Sequence, residues 1–123
     1  CQAEIGSGSG MAAAAITHVR GGSKEQLGHA CAMALKNLMG LVCDPVGGLV
    51  EVPCVKRNVG GAVNAMAAAD MALAGIESQI PVDEVMDAMR EVGVKMDVSL
   101  RETGLGGVAG TQRAKAVVEA LDM

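Results

Sequence analysis

Apolar positions along the chain fall into five stretches with a helical period, separated by Gly- and Pro-rich breaks. The first runs from about Gly10 to Val19, through Ala12–Ala15, and stops at Gly21-Gly22. Ser23 followed by Gln26 has the spelling of a capping box. A second helix is predicted to start there, to carry Leu27, Cys31, Leu35 and Leu38 on related faces, and to end near Gly40. Leu41 to Pro53 has no helical period and contains Pro45, Gly47, Gly48 and Pro53, which predicts an ordered loop with an extended stretch at Leu49–Val52. A long third helix is expected from Lys56 to Ala74, ended by Gly75. The Gly60-Gly61 pair in its first turns costs about 1 kcal/mol per glycine against alanine, which is tolerable where another backbone or a ligand must come close. Pro81 is placed at the first position of a fourth helix, with Asp83 and Glu84 complementing its positive end. That helix has an apolar stripe of Val82, Val85, Met86, Met89 and Met96. Ser99 to Gly110 reads as loop, and Thr111 as the cap of a terminal helix, Gln112 to Leu121. The expected fold is therefore all-α: one domain over residues 1–123, with about five helices and Gly/Pro-rich loops.

Composition changes this picture in one respect. Half of the chain is hydrophobic, yet it has no Phe, Tyr or Trp and has nine Met. The interior must be built from small aliphatics, with Met filling irregular gaps; Met66, Met71, Met86 and Met89 are assigned to it. Val59 to Gln79 is nearly uncharged but is broken by Asp70 and Glu77, so it reads as a buried helix and not a membrane span. A net charge of −4 and the absence of aromatic residues argue against nucleic acid, which needs a basic stripe or stacking platforms. The chain opens at Cys1 without an initiator Met and without a secretory leader, which reads as a fragment or processed product of a cytoplasmic protein. Four cysteines in that setting point to metal or catalytic roles before disulfides.

Cys43 and Cys54 are separated by ten residues that are mostly turn-formers and small apolars. The C-x2-C knuckle of structural zinc sites is absent. Iron–sulfur clusters accept looser spacing, because their ligands come from separate loops, and Gly and Pro let the backbone wrap the sulfides. Spacing alone leaves two readings open: cluster ligands, or two buried thiols.

Three blocks narrow the choice. Cys1 to Gly6, the pair Leu41–Gly48 and Val52–Asn58, and Arg101–Gly107 together resemble, in order over roughly Cys1 to Ala109, the alpha chain of the iron–sulfur-dependent L-serine dehydratases. The resemblance implies that Cys1, Cys43 and Cys54 hold a 4Fe-4S cluster with one iron open to substrate, and that no pyridoxal phosphate takes part. It implies conversion of L-serine to pyruvate and ammonia by a lyase, oligomeric in its full form. It also implies that an N-terminal portion, and a separate small α/β domain or chain, lie outside these residues. The chain alone is accordingly expected to be inactive. Cys31 has no place in the motif and reads as core. A terminal residue is expected to fray, which would make Cys1 the least firmly held ligand.

The chemistry suits that ligand set. A Lewis acid on the β-hydroxyl makes it a better leaving group, and a base removes the Cα proton. Arg57 and Asn58, directly after a ligand, could reach the substrate carboxylate or steady the loop. An ion pair of Arg57 with Asp44 or Glu51 is the structural alternative. Lys56 could act as a base only if burial lowered its pKa strongly. Arg101 and Glu102 could instead form a structural salt bridge. Gly6 to Gly10, ahead of an Ala-rich helix, is a possible cradle for a carboxylate, whereas the G-x-G-x-x-A spelling of Gly8 to Ala13 lacks the preceding strand of a dinucleotide site. Two other classes remain as rivals: a non-catalytic metal or redox-thiol module, and a helical interaction domain with simply buried cysteines.

Overall fold

Alanine lets the helices of this chain lie close together. The computed structural model describes residues 1–121, and among them forms five α-helices: α1 (Ser7–Val19), α2 (Lys24–Asn37), α3 (Lys56–Leu73), α4 (Val82–Lys95) and α5 (Gln112–Leu121). The first three pack mutually, and α4 rests on α2. Between α1, α2 and α3 the core is Ala13, Ala30, Met33, Ala34, Ala65, Ala68 and Ala72. A smaller cluster of Ala32, Leu35 and Val85 joins α2 to α4, and Val46, Ala109 and Ala114 seat α5 on the loops. No strand forms among the described residues; one isolated parallel bridge pairs Cys43 with Arg101. No described helix is long and apolar enough to cross a membrane.

Helix ends with explicit side-chain chemistry fall where the sequence places them. The Ser23 hydroxyl accepts from the Gln26 N–H at 3.2 Å, and the Gln26 side chain accepts from the Ser23 N–H at 2.9 Å, a complete capping box. The Ala114 N–H donates to Thr111 Oγ1, so α5 starts as expected. Pro81 instead lies one residue outside α4, with ψ 150°, and Val82 is the first helical residue.

Other expectations are corrected. Gly6 to Gly10 is not a loop before a helix: Gln2–Gly6 forms a wide helical turn that continues into α1. The reason is tertiary. A Cβ on Gly10 would lie 3.0 Å from the Leu35 side chain, and one on Gly61 would lie 2.7 Å from Ile5 Cγ2. These glycines give up helix propensity so that α1 can approach α2 and α3 closely. The segment therefore offers no exposed helix start as a carboxylate cradle. Met66 and Met86 are about half exposed, not core, because an interface closed on Ala and Gly leaves long side chains outside. Leu49–Val52 is extended only at its two ends, Leu49 (ψ 131°) and Val52 (ψ 117°). Val50 turns at ψ 4° and Glu51–Val55 coils into a wide turn, since no neighbouring strand is there to pair with it.

Candidate functional site

The cysteines at issue sit where the wide turn before α1, the loop after α2 and the turn before α3 meet. Cys1 is 6% exposed and Cys54 4%; with Ile5 they form an apolar cluster closed by Leu38 and Leu41. Cys43 is half-buried and shares with Cys1 an open cleft of about 300 Å³, also lined by Arg101 and Glu102. Cys1 is thus common to both groupings. All four cysteines are free thiols.

Cys1 is not frayed. Its carbonyl accepts from the N–H groups of Ile5 and Gly6, and the next residue anchors it further. The Gln2 N–H donates to Leu41 O at 3.0 Å, Gln2 Nε2 donates to Met89 O at 2.9 Å, and Gln2 Oε1 accepts from the Gly40 N–H at 2.7 Å. One buried amide therefore ties the Cys1 turn to α4 and to the loop after α2. Nothing in the local pattern around Gln2 marks it for this role.

Arg57 is held by a buried carboxylate. Asp44 is 1% exposed; its Oδ1 accepts from Arg57 Nη1 at 2.5 Å, and its Oδ2 from the Val108 N–H at 2.6 Å. Burial alone would raise the Asp44 carboxyl. The hydrogen bonds from Arg57 and Val108, with the Arg57 charge, outweigh it and hold the carboxyl below its usual range. Arg57 Nη1 also donates to Val42 O at 3.0 Å and points at Cys1 Sγ, 3.6 Å away. Of the two acidic partners considered for Arg57, Asp44 is the one it meets. Gly107 makes the bracket possible: with φ +60°, a Cβ there would stand 2.2 Å from Asp44 Oδ2.

The remaining predicted residues are distributed unevenly. Asn58 Nδ2 donates to Cys54 O at 3.0 Å, closing the turn that presents Cys54. Lys56 is exposed at the first position of α3. Arg101 and Glu102 form no salt bridge with each other. Instead Cys43 N–H donates to Leu100 O at 2.8 Å and Glu102 N–H to Cys43 O at 2.7 Å, so the second loop is zipped onto the first at Cys43. Cys31 lies beside the α2–α4 cluster, and burial pushes its thiol up. His29 Nδ1 accepts from the Ser78 N–H at 3.2 Å.

This donor set fits a thiolate-ligated group. Among the described residues no three His, Cys, Asp or Glu side chains close on a single metal ion. A cluster, by contrast, holds its thiolates apart across its own width. Three free thiols on separate turns, with a guanidinium N–H aimed at one sulfur, suit the anionic sulfur of such ligands.

Comparison with known proteins agrees with the sequence blocks. The family described as "Serine dehydratase alpha chain" matches residues 1–109. The chain is 68% identical over 111 residues to "Probable L-serine dehydratase, alpha chain" of Bacillus subtilis (strain 168), covering 90% of this chain and 37% of that protein. It is 62% identical over 111 residues to the protein of the same description in Latilactobacillus sakei, covering 90% and 53%. It is 54% identical over 117 residues to "L-serine dehydratase, alpha chain" of Peptoniphilus asaccharolyticus, covering 95% and 40%. The chain thus spans between about a third and about half of the length of these relatives. A match over residues 1–109, containing every cysteine and the Asp44 bracket, means that this chain belongs to the serine dehydratase alpha chain family.

Proposed function

We propose that this chain is the cluster-holding part of an L-serine dehydratase, in which Cys1, Cys43 and Cys54 ligate a 4Fe-4S cluster and the assembled enzyme converts L-serine to pyruvate and ammonia. The observation that carries the reading is the grouping of Cys1 with Cys54 in one cluster and with Cys43 at one cleft, under a guanidinium directed at sulfur. When bound, the cluster would supply a Lewis-acidic iron to the substrate hydroxyl. No pyridoxal phosphate is needed on this reading.

The chain's own residues then have separable tasks. Asp44 fixes Arg57, and Arg57 steadies the Cys1 sulfur and the Val42 carbonyl. Asn58 holds the turn that carries Cys54. Lys56 is exposed on this chain and would serve as a base only under a cover supplied by the remainder of the enzyme.

That remainder is the proposed partner, as further alpha-chain sequence and a second domain or chain. Two exposed apolar rows support this. Val55, Val59 and Val63 recur every fourth residue along one face of α3 and the turn before it, with Met66 beside them. Met11 and Val19 lie on one face of α1, and Val19 is 84% exposed. Rows of this kind are ordinarily covered by protein. Free thiols suit the reducing cytoplasm, where we place the enzyme.

The test is anaerobic reconstitution of the full-length enzyme with iron and sulfide, followed by assay of pyruvate from L-serine. The expected result is visible absorbance in the blue, lost in Cys43→Ser, together with pyruvate formation. A colourless protein that binds zinc tightly sinks the cluster assignment. A loaded enzyme that makes no pyruvate sinks the substrate assignment.

A further inference from the structure

We propose that Arg101 takes the carboxylate of the amino-acid substrate, with the carboxylates of Glu102 and Glu4 on the same cleft facing its ammonium group. The proposal rests on the dehydratase reading and adds to it the chemistry of the rest of the substrate molecule. A β-hydroxy-α-amino acid is a zwitterion, so a site beside the thiols needs one cation and at least one anion in addition to whatever activates the hydroxyl.

The cleft beside Cys1 and Cys43 has that composition. Its walls include Arg101, Glu102 and Glu4, and its volume of about 300 Å³ admits an amino acid as small as serine. Arg57, the other arginine next to the cysteines, is already engaged by Asp44 and the Val42 carbonyl. Among the described residues Arg101 forms no ion pair and no side-chain hydrogen bond. The acidic neighbour within range of its charge, Asp97, is turned to the Ser99 N–H at 2.8 Å and the Ser99 hydroxyl at 2.5 Å. The guanidinium thus keeps its planar donor fork available for a bidentate carboxylate.

Its position is also fixed. Two backbone hydrogen bonds, from the Cys43 N–H to Leu100 O and from the Glu102 N–H to Cys43 O, hold Arg101 opposite that cysteine. Glu102 adopts φ +66°, a left-handed conformation that a residue with a Cβ adopts at a cost of about 1 kcal/mol or more. This conformation accompanies a side chain on the cleft wall next to Arg101.

The experiment uses the full-length, cluster-loaded enzyme, kept anaerobic, in wild-type, Arg101→Ala and Arg101→Lys forms, with iron and sulfide content measured on each. Loss of a charge-assisted contact predicts that Arg101→Ala raises KM for L-serine about 30-fold with little change in kcat, and that Arg101→Lys falls between. Calorimetric binding of 3-hydroxypropionate, which has the carboxylate but no ammonium, should weaken in parallel. Inhibition by ethanolamine, which has the ammonium but no carboxylate, should be unchanged. A wild type that binds 3-hydroxypropionate but forms no pyruvate overturns the dehydratase reading alone. An Arg101→Ala enzyme that binds the acid as tightly as wild type overturns the present proposal, as does a wild type that does not bind it. Equal weakening of both probes, or loss of iron in Arg101→Lys, assigns Arg101 a structural role and also overturns it.

Discussion

The layer of α1, α2 and α3 and the bracket around Asp44 solve the same problem, holding distant segments together, by opposite means. The layer does it with methyl groups: its core is nearly all alanine, and its strength is close packing spread over many residues. The bracket does it with one carboxylate that gathers Arg57 and the Val108 N–H from segments 13 and 64 residues away. Damage to the layer should be felt everywhere, whereas damage to the bracket should be felt at the cysteines and little beyond. A distributed apolar core builds the scaffold, and a concentrated polar link ties together the segments that carry Cys1 and Cys43.

The largest effect should come from overfilling the layer. Ala68→Leu inserts three carbons where no surface is exposed and should destabilise the whole chain by about 3 kcal/mol in urea unfolding. A loss below about 1 kcal/mol would mean the helices can part cheaply, and the contrast would fail. Asp44→Asn leaves the Arg57 charge without its partner. It should cost about 2 kcal/mol, expressed as faster hydrogen exchange at the Val108 amide and faster alkylation of Cys1, while amides of α2 keep their protection. If α2 loosens equally, the bracket is part of the core.

Gln2→Ala removes two hydrogen bonds that tie the Cys1 turn to α4 and to the loop after α2, an effect of about 1.5 kcal/mol. Iron retention in the reconstituted full-length enzyme should fall with it; unchanged retention would show that Cys1 is held by other means. The smallest effect is expected from Ser23→Ala, which removes half of a capping box for about 1 kcal/mol. Its site lies at the far end of α2, and thiol alkylation should not respond.

The same contrast accounts for what could be read from the sequence. Ser23, Thr111 and the Lys56 start of α3 were legible because caps and breakers act within a few residues. Cys43 and Cys54 could be singled out in the sequence because their loop forms a block of the family that matches residues 1–109. Gly6 to Gly10 was misread because the meaning of Gly10 lies in Leu35, which opposes it across the α1–α2 interface. Met66 and Met86 were misplaced because helical period identifies a face but not whether another helix covers it. The Val108 half of the bracket left no local sign. Its only trace is Gly107, a small residue in a Gly-rich loop that would be ordinary without Asp44 against it.

The parallel bridge between Cys43 and Arg101 carries one more consequence. Two backbone hydrogen bonds join a proposed cofactor ligand to the proposed carboxylate anchor, so neither can be ordered without ordering the other. Whatever immobilises Cys43 reduces the entropy that an incoming amino acid must still remove from Arg101. By thermodynamic reciprocity, a bound amino acid would then tighten cofactor binding by the same coupling free energy. On the proposed reading, substrate and cofactor would each favour the other's binding through the backbone contacts of Cys43 with Leu100 and Glu102.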